Sequence, residues 1–250
     1  MPKLSIITVT YQAEAVLPLT LRSVASQTWR DWEHILVDGA STDNTPRLIQ
    51  AYAEQVPNVR WISEPDKGIY DAMNKGLDMA QGEFVVFLNA GDIFWRPTTL
   101  EELFTQAPPE ADLLYGDHYY INLQGERVLR RRHRPYPRGG LQLKHLHTGM
   151  VVCHQAIFVR RTLAPAYNSR FHFAGDLDWL IRILQKPCQT YDTQKVLVGY
   201  LVEGGSDRYI LQHIWVRTGI LRRYFGIGAV LKSYWAMLAN LWHGGYPAVE

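Results

Sequence analysis

A chain of 250 residues with 47% hydrophobic content and a net charge of +2 can bury the core of one α/β domain plus an extension, and is too nearly neutral for charge to name a partner. Its two cysteines, Cys153 and Cys188, exclude a disulfide scaffold, allow one bridge at most and suit a reducing compartment, and metal binding through thiolates is not expected. The apolar run in residues 1–10 is too short for the core of a signal peptide and lacks a small-residue cleavage site, which reads as a cytoplasmic start; no run reaches transmembrane length and no repeat is visible.

In chain order, residues 3–10, 32–37, 59–63 and 83–88 are short runs rich in β-branched and aromatic residues. Helical patterning lies between them, which argues for a parallel sheet with crossover helices. The first helix is expected over 13–27, with Leu17, Leu21, Val24 and Ala25 on one face and Pro18 in its first turn. The second starts near 42–45, where Ser41, Thr42 and Asp43 offer capping oxygens and Pro46 suits an early position. Ile69, Met73, Leu77 and Ala80 mark a third, which Gly82 breaks. Beyond the fourth strand, 113–117 reads as a strand, 128–140 as a Pro-, Gly- and Arg-rich loop, and 151–159 as a strand interrupted by His154 and Gln155. Residues 176–184 read as a helix with Leu177, Leu180, Ile181 and Leu184 toward the core. After Gly204-Gly205-Ser206 the chain alternates apolar, aromatic and basic residues with helical spacing to about His243.

Three acid-bearing segments close strands, and in an open α/β sheet the carboxyl edge is where ligands bind. Tyr11, Asp38, Asp66 and Asp92 are therefore expected to line one crevice. Each has a plainer reading as well: Asp38 as a helix cap, Asp92 as a turn residue, Tyr11 as core, Asp71 with Lys75 as a surface pair, Asp176 as an N-cap and His154 as a structural histidine. Their co-occurrence at successive strand ends is what argues for a site.

The segments 5–12, 37–45, 66–76, 87–92 and 176–179 resemble those of family 2 glycosyltransferases, the inverting group with the GT-A fold. The similarity covers residues 3–205 and looks nearest to the small enzymes that build bacterial exopolysaccharide, colanic-acid-like or O-antigen repeat units. It implies an α/β, Rossmann-like, mixed but mostly parallel sheet flanked by helices over 1–205, and a C-terminal helical extension over 206–250. It also implies a metal-dependent hexosyl- or N-acetylhexosaminyl-transferase that moves a sugar from a nucleotide donor, UDP-linked, to a hydroxyl of a glycan or lipid-linked acceptor. By the same resemblance Thr10, Tyr11 and Asp38 hold the nucleoside base; a ring face and a carboxylate acceptor suit a pyrimidine with a ring N–H. Asp66, Lys67, Gly68, Asp71, Asn74, Asn89, Ala90 and Gly91 meet the donor, Asp92 binds Mn2+ or Mg2+, and Asp176 is the general base. His154, Gln155 and Arg208 are expected at the acceptor or the diphosphate. Two departures stand out: the metal motif, usually two or three acids, keeps only Asp92, and Gly175 replaces the Glu that usually precedes the base.

Outside these motifs, Arg130-Arg131-Arg132-His133-Arg134 reads as a solvated loop or as a contact to anionic lipid or diphosphate; no nucleic-acid partner is expected, given the low net charge. The aromatic and basic segment 209–242 reads as a membrane-interface helix, an oligomer contact or a cover for the sheet. The leading expectation is thus a cytoplasmic transferase, peripheral on the inner face of the membrane. Its rivals are an inactive sugar-nucleotide binder and a basic membrane or nucleic-acid adaptor.

Overall fold

The computed structural model describes residues 1–128, 136–202 and 210–243. Four strands, β1 (Leu4–Thr10), β2 (Trp32–Asp38), β3 (Val59–Ser63) and β4 (Phe84–Phe87), alternate with helices α1 (Leu17–Ala25), α2 (Thr45–Gln55) and α3 (Ile69–Met79). There follow β5 (Ile93–Phe94), α4 (Thr99–Gln106), β6 (Leu113–Ile121), β7 (Arg127–Val128), β8 (Ile157–Arg160), α5 (Gly175–Leu184), β9 (Thr190–Leu201) and α6 (Ile210–His243). One sheet joins all the strands in the order β3-β2-β1-β4-β8-β6-β9-β5, with β7 on β6.

The β1–β4 block is parallel throughout, whereas β8 runs antiparallel to both β4 and β6, and β9 is again parallel to β6. Every residue of β1, β2 and β4 is buried, as expected of a parallel sheet covered on both faces. Side chains alternate between the faces with the two-residue period of a strand. Ile7, Val9, Ile35, Val37, Val85 and Phe87 meet Met73 of α3 and Trp179 and Leu180 of α5. Leu4, Ile6, Val86 and Leu88 meet Leu100 and Leu103 of α4, and Leu36 meets Leu17 of α1 and Ile49 of α2.

Sequence order reverses direction between β1 and β4, the position at which an open sheet leaves a crevice at its carboxyl edge. Two turns there are zipped together. The Gln12 backbone N–H donates to Ser41 Oγ, its side-chain amide donates to Thr42 Oγ1, and its Oε1 accepts from the Asp43 N–H. Ala13 N–H donates to Thr45 Oγ1.

Several expectations need correction. The expected strand over 151–159 is a strand only from Ile157, because His154–Ala156 form a turn of 3-10 helix that directs two polar side chains inward. The first helix begins at Leu17 rather than at residue 13, since Ala13 closes a turn onto Val16. The short strand β5, helix α4 and the long strand β9 were not expected. Helix α6 is broken at Gly226 (φ 77°, ψ −177°) into two arms. The Arg130–Arg134 run, Gly204–Ser206, Arg208 and the expected boundary between residues 205 and 206 lie outside the described residues.

Candidate active site

Asp38 ends β2 and is fully buried. Its carboxylate accepts from four donors: Thr10 Oγ1 at 3.0 Å, Ser63 Oγ at 2.6 Å, the Ser41 N–H at 2.9 Å and the Ser41 hydroxyl. One acid thus ties the ends of three adjacent parallel strands, and the burial of its charge is offset by charge-assisted hydrogen bonds. Above it lies Gly39. A Cβ there would stand 2.4 Å from Asp66 Oδ2 and 3.3 Å from the Tyr11 ring, so the glycine lets the Asp66 carboxylate lie beside Tyr11 without moving aside. Tyr11 is 68% exposed, a ring face left open to solvent at the end of β1. Asp66 is half-buried, and its Oδ1 accepts from the Gly68 N–H at 2.8 Å. Asp71 accepts from the Lys67 N–H, which fixes the turn into α3.

At the end of β4, Thr20 of α1 clamps the turn Asn89-Ala90-Gly91-Asp92. Its hydroxyl accepts from the Gly91 N–H at 2.8 Å and donates to the Asp92 carbonyl at 2.7 Å. Gly91 has φ 97°, and a Cβ on it would meet Leu201 of β9 at 2.6 Å, so no ligand-bearing side chain fits there. Asp92 is 4% exposed, and both its oxygens are engaged, Oδ1 by the Leu201 N–H at 2.9 Å and Oδ2 by Gln155 Nε2 at 2.8 Å. Burial pushes its pKa up to about 7 against the pull of those two donors. A divalent cation needs ionised, outward-facing oxygens. The Asp92 oxygens are buried and already accept from Leu201 and Gln155, and the described residues contain no group of three acidic, histidine or cysteine ligands. The metal expected at Asp92 does not fit this donor set. Asn89 Oδ1 in the same turn is buried without a hydrogen-bond partner among the described residues.

The third part of the cleft is the mouth of α5. Ala174 takes a left-handed conformation (φ 54°), and the helix starts at Gly175 without any side-chain cap of its own. Tyr70 of α3 supplies the missing acceptor, taking the Gly175 N–H on its hydroxyl at 2.8 Å. Its ring lies so close that a Cβ on Gly175 would stand 2.7 Å from it. That contact leaves no room for a side chain at position 175. Asp176 follows, half-buried, its carboxylate without a hydrogen bond among the described residues. Asp178, two residues on, is buried against Arg182 at 2.8 Å and accepts from the Tyr224 hydroxyl at 2.8 Å, so it joins α5 to α6.

Under this mouth lies an aromatic block. His154 Nε2 bonds the Tyr167 hydroxyl at 2.7 Å and its ring stacks on Phe87, while Tyr167 stacks on both Trp179 and Tyr70. Burial lowers the His154 pKa, partly countered by the negative charge of nearby Asp176. Burial first, then Asp176, raises the Tyr167 phenol. The Asn74 side chain makes two bonds to the Tyr167 backbone, at 2.9 and 2.6 Å, and Lys75 reaches Glu64 and the Pro65 carbonyl.

The family model for glycosyl transferase family 2 matches residues 5–164. The chain belongs to that family. The transferase is 34% identical over 238 residues to the PGL/p-HBAD biosynthesis glycosyltransferase of Mycobacterium tuberculosis, covering 92% of this chain and 89% of the relative. It is also 34% identical over 179 residues to the O-antigen biosynthesis protein RfbC of Myxococcus xanthus, which covers 70% of this chain and 14% of that protein. Among solved structures, S. aureus TarS 1–349 in complex with UDP-GlcNAc aligns with a TM-score of 0.70 at 16% identity, covering 95% of this chain and 73% of that one. The chain spans 44% of the longer TarS chain. Mannosyltransferase PcManGT from Pyrobaculum calidifontis, in complex with GDP-Man and Mn2+, aligns with a TM-score of 0.64 at 18% identity, covering 98% of this chain and 76% of the other. These likenesses establish the GT-A fold.

In the transferase, the expected residues therefore fall into two groups. Tyr11, Asp66, Asn89 and Asp176 keep a ring or a carboxylate or amide oxygen without a hydrogen bond among the described residues, and a Cβ on Gly68 would stand 3.7 Å from His172 in the segment leading to α5. Thr10, Asp38, Asp71, Asn74, Asp92, His154 and Gln155 have polar atoms spent on the protein. Lys67 is exposed beside the first group, and Ala90 and Gly91 shape the turn. Sequence reasoning missed Tyr70, Thr20 and Tyr167; the one available signal was the glycine at 175, which lies against a ring from another helix.

Proposed function

We propose that the chain transfers a sugar, with inversion, from a UDP-linked donor to a hydroxyl of a glycan or lipid-linked saccharide in bacterial surface polysaccharide synthesis, with Asp176 as general base. The observation that supports this most is the state of Asp176: a half-buried carboxylate that accepts no hydrogen bond among the described residues, on a helix start that Tyr70 holds against α3. The open ring of Tyr11 suits stacking on the base, with Asp66 Oδ2 beside it as acceptor and Asp38 bracing the floor from behind. Asn89 Oδ1 suits a donor hydroxyl. Residues 1–205 carry this chemistry and residues 206–250 form an extension.

In the reaction the acceptor oxygen attacks the anomeric carbon from the face opposite the nucleotide. Its proton passes to the Asp176 carboxylate, and the bond to the diphosphate breaks with its electron pair leaving on phosphate oxygen. A positioned base of this kind contributes about 10²–10⁴-fold. No step is routed through Mn2+ or Mg2+, because the carboxylate expected to hold the ion is spent on Leu201 and Gln155. The glycan reading rests on the names of the mycobacterial relative and RfbC, and the donor reading on the neighbour crystallised with UDP-GlcNAc.

The test is a screen of UDP- and GDP-sugars with saccharide acceptors, with product anomers assigned by NMR. A product whose anomeric configuration is opposite to the donor's supports the reading. Retention of configuration, or donor binding without any transfer or hydrolysis, overturns it; the second outcome would identify a sugar-nucleotide binder.

A further inference from the structure

Helix α6 holds to the body by one side and leaves the other bare. On the inner side Ile220, Leu221, Ala229 and Val230 are buried, Tyr224 bonds Asp178, and Ser233 donates to the Thr148 carbonyl. The break at Gly226 folds the two arms together, so that Thr218 and Tyr234 share a hydrogen bond of 2.9 Å across sixteen residues of chain.

The outer side is apolar where a soluble surface is ordinarily polar. Leu211 and Trp215 on the first arm, and Ile227, Leu231, Trp235 and Leu238 on the second, are all more than half exposed, Trp215 at 79% and Trp235 at 74%. At 100° per residue the four positions of the second arm fall on one stripe, opposite buried Ala229, Val230 and Ser233. Leu211, Trp215 and exposed Arg222 share the corresponding stripe of the first arm. Across α6 there are four basic residues, Arg217, Arg222, Arg223 and Lys232, and no acidic one; these four charges exceed the net +2 of the whole chain. Among the described residues no helix is long and apolar enough to cross a membrane.

We propose that this outer face of α6 docks the protein on an anionic lipid bilayer. Exposed tryptophans beside basic residues, on a helix with no acids, are the composition of a helix lying in the headgroup region. A second copy of the chain fits worse. A two-fold interface over this face would bring together two helices that each carry Arg222, Arg223 and Lys232 and no acid to neutralise them. The anionic headgroups of a bilayer supply that complement. This inference stands apart from the transfer chemistry and does not depend on it.

The test is flotation of the full chain with phosphatidylcholine vesicles, with and without phosphatidylglycerol. Binding is expected to the anionic vesicles, to weaken as salt screens the charges, and to fall roughly tenfold or more in partition coefficient in Arg222→Glu/Arg223→Glu, each lost charge being worth a factor of several. Trp215→Ser/Trp235→Ser is expected to lose binding as well while keeping its melting temperature, because both rings are exposed. Equal binding to both vesicle types, or binding unchanged in both double variants, overturns the proposal. So does a wild-type dimer by light scattering that the tryptophan variant converts to monomer while neither binds vesicles; that result would assign the face to a second copy.

Discussion

The carboxyl edge of the sheet and the mouth of α5 both present aspartates where the family pattern expects chemistry, but they are built differently. Asp38 and Asp92 are buried, and every carboxylate oxygen has a protein donor. Asp176 is only half-buried and has none among the described residues, while its neighbour Asp178 is spent on Arg182 and Tyr224. The same contrast recurs at the far edge of the sheet. There Glu33 is buried and accepts from Ser5 and from the Gln81 and Gly82 N–H groups, in a place that no reading assigns to a ligand. A conspicuous acid at a strand end is thus as readily a strut as a ligand, and unspent lone pairs facing a crevice separate the two.

Removing a strut should cost the fold before it costs the chemistry. Asp92→Ala leaves the Leu201 N–H and the Gln155 amide buried without acceptors, and should lower stability by about 2–5 kcal/mol, read from urea unfolding. A variant with wild-type stability that has lost only metal-stimulated turnover would return Asp92 to the ligands. The pH dependence sharpens the point. Because the folded-state pKa is raised to about 7, the folded protein keeps a proton that the unfolded chain releases above about pH 4, so Asp92's contribution is full below that pH and declines until about pH 7. Asp92→Asn should flatten that decline; an unchanged slope would place the titration elsewhere.

Smaller effects are expected where the two regions meet. Gly175→Ala puts a methyl group against the Tyr70 ring and should cost about 1–3 kcal/mol with a matching loss of turnover, and Tyr70→Phe, which removes only the helix-capping acceptor, about 1 kcal/mol. Donor affinity should change little in either. If calorimetry finds that Tyr70→Phe abolishes donor binding instead, the Tyr70 hydroxyl serves a donor pocket and not the start of α5.

Much of this architecture was legible from local pattern. The β1–β4 strands are short runs rich in β-branched and aromatic residues, three of them buried throughout, and Pro18 and Pro46 do stand in the first turns of α1 and α2. Strand β9 was not legible, because its first half is polar and half-exposed, and two-residue β5 is too short to leave a period. In the site, the positions of Tyr11, Asp38, Asp66 and Asp92 at strand ends were readable. Whether each carboxylate is free was not, because the partners that decide it are remote: Leu201 lies 109 residues from Asp92 and Gly175 lies 105 from Tyr70. Gly91 and Gly175 mark those contacts in the sequence only as absences of a side chain.

The central claim, that the reactive carboxylate is Asp176, which accepts no hydrogen bond among the described residues, is tested most directly by comparing Asp176→Asn with Asp178→Asn in transfer rate and donor affinity. Asn keeps the size of the side chain and removes the proton acceptor. Asp176→Asn should therefore bind donor as the wild type does and transfer roughly 10²-fold or more slowly, whereas Asp178→Asn should lose stability through Arg182 and keep most of its turnover. Near wild-type transfer by Asp176→Asn, measured on a variant that folds and binds donor normally, would contradict the account and place the base elsewhere.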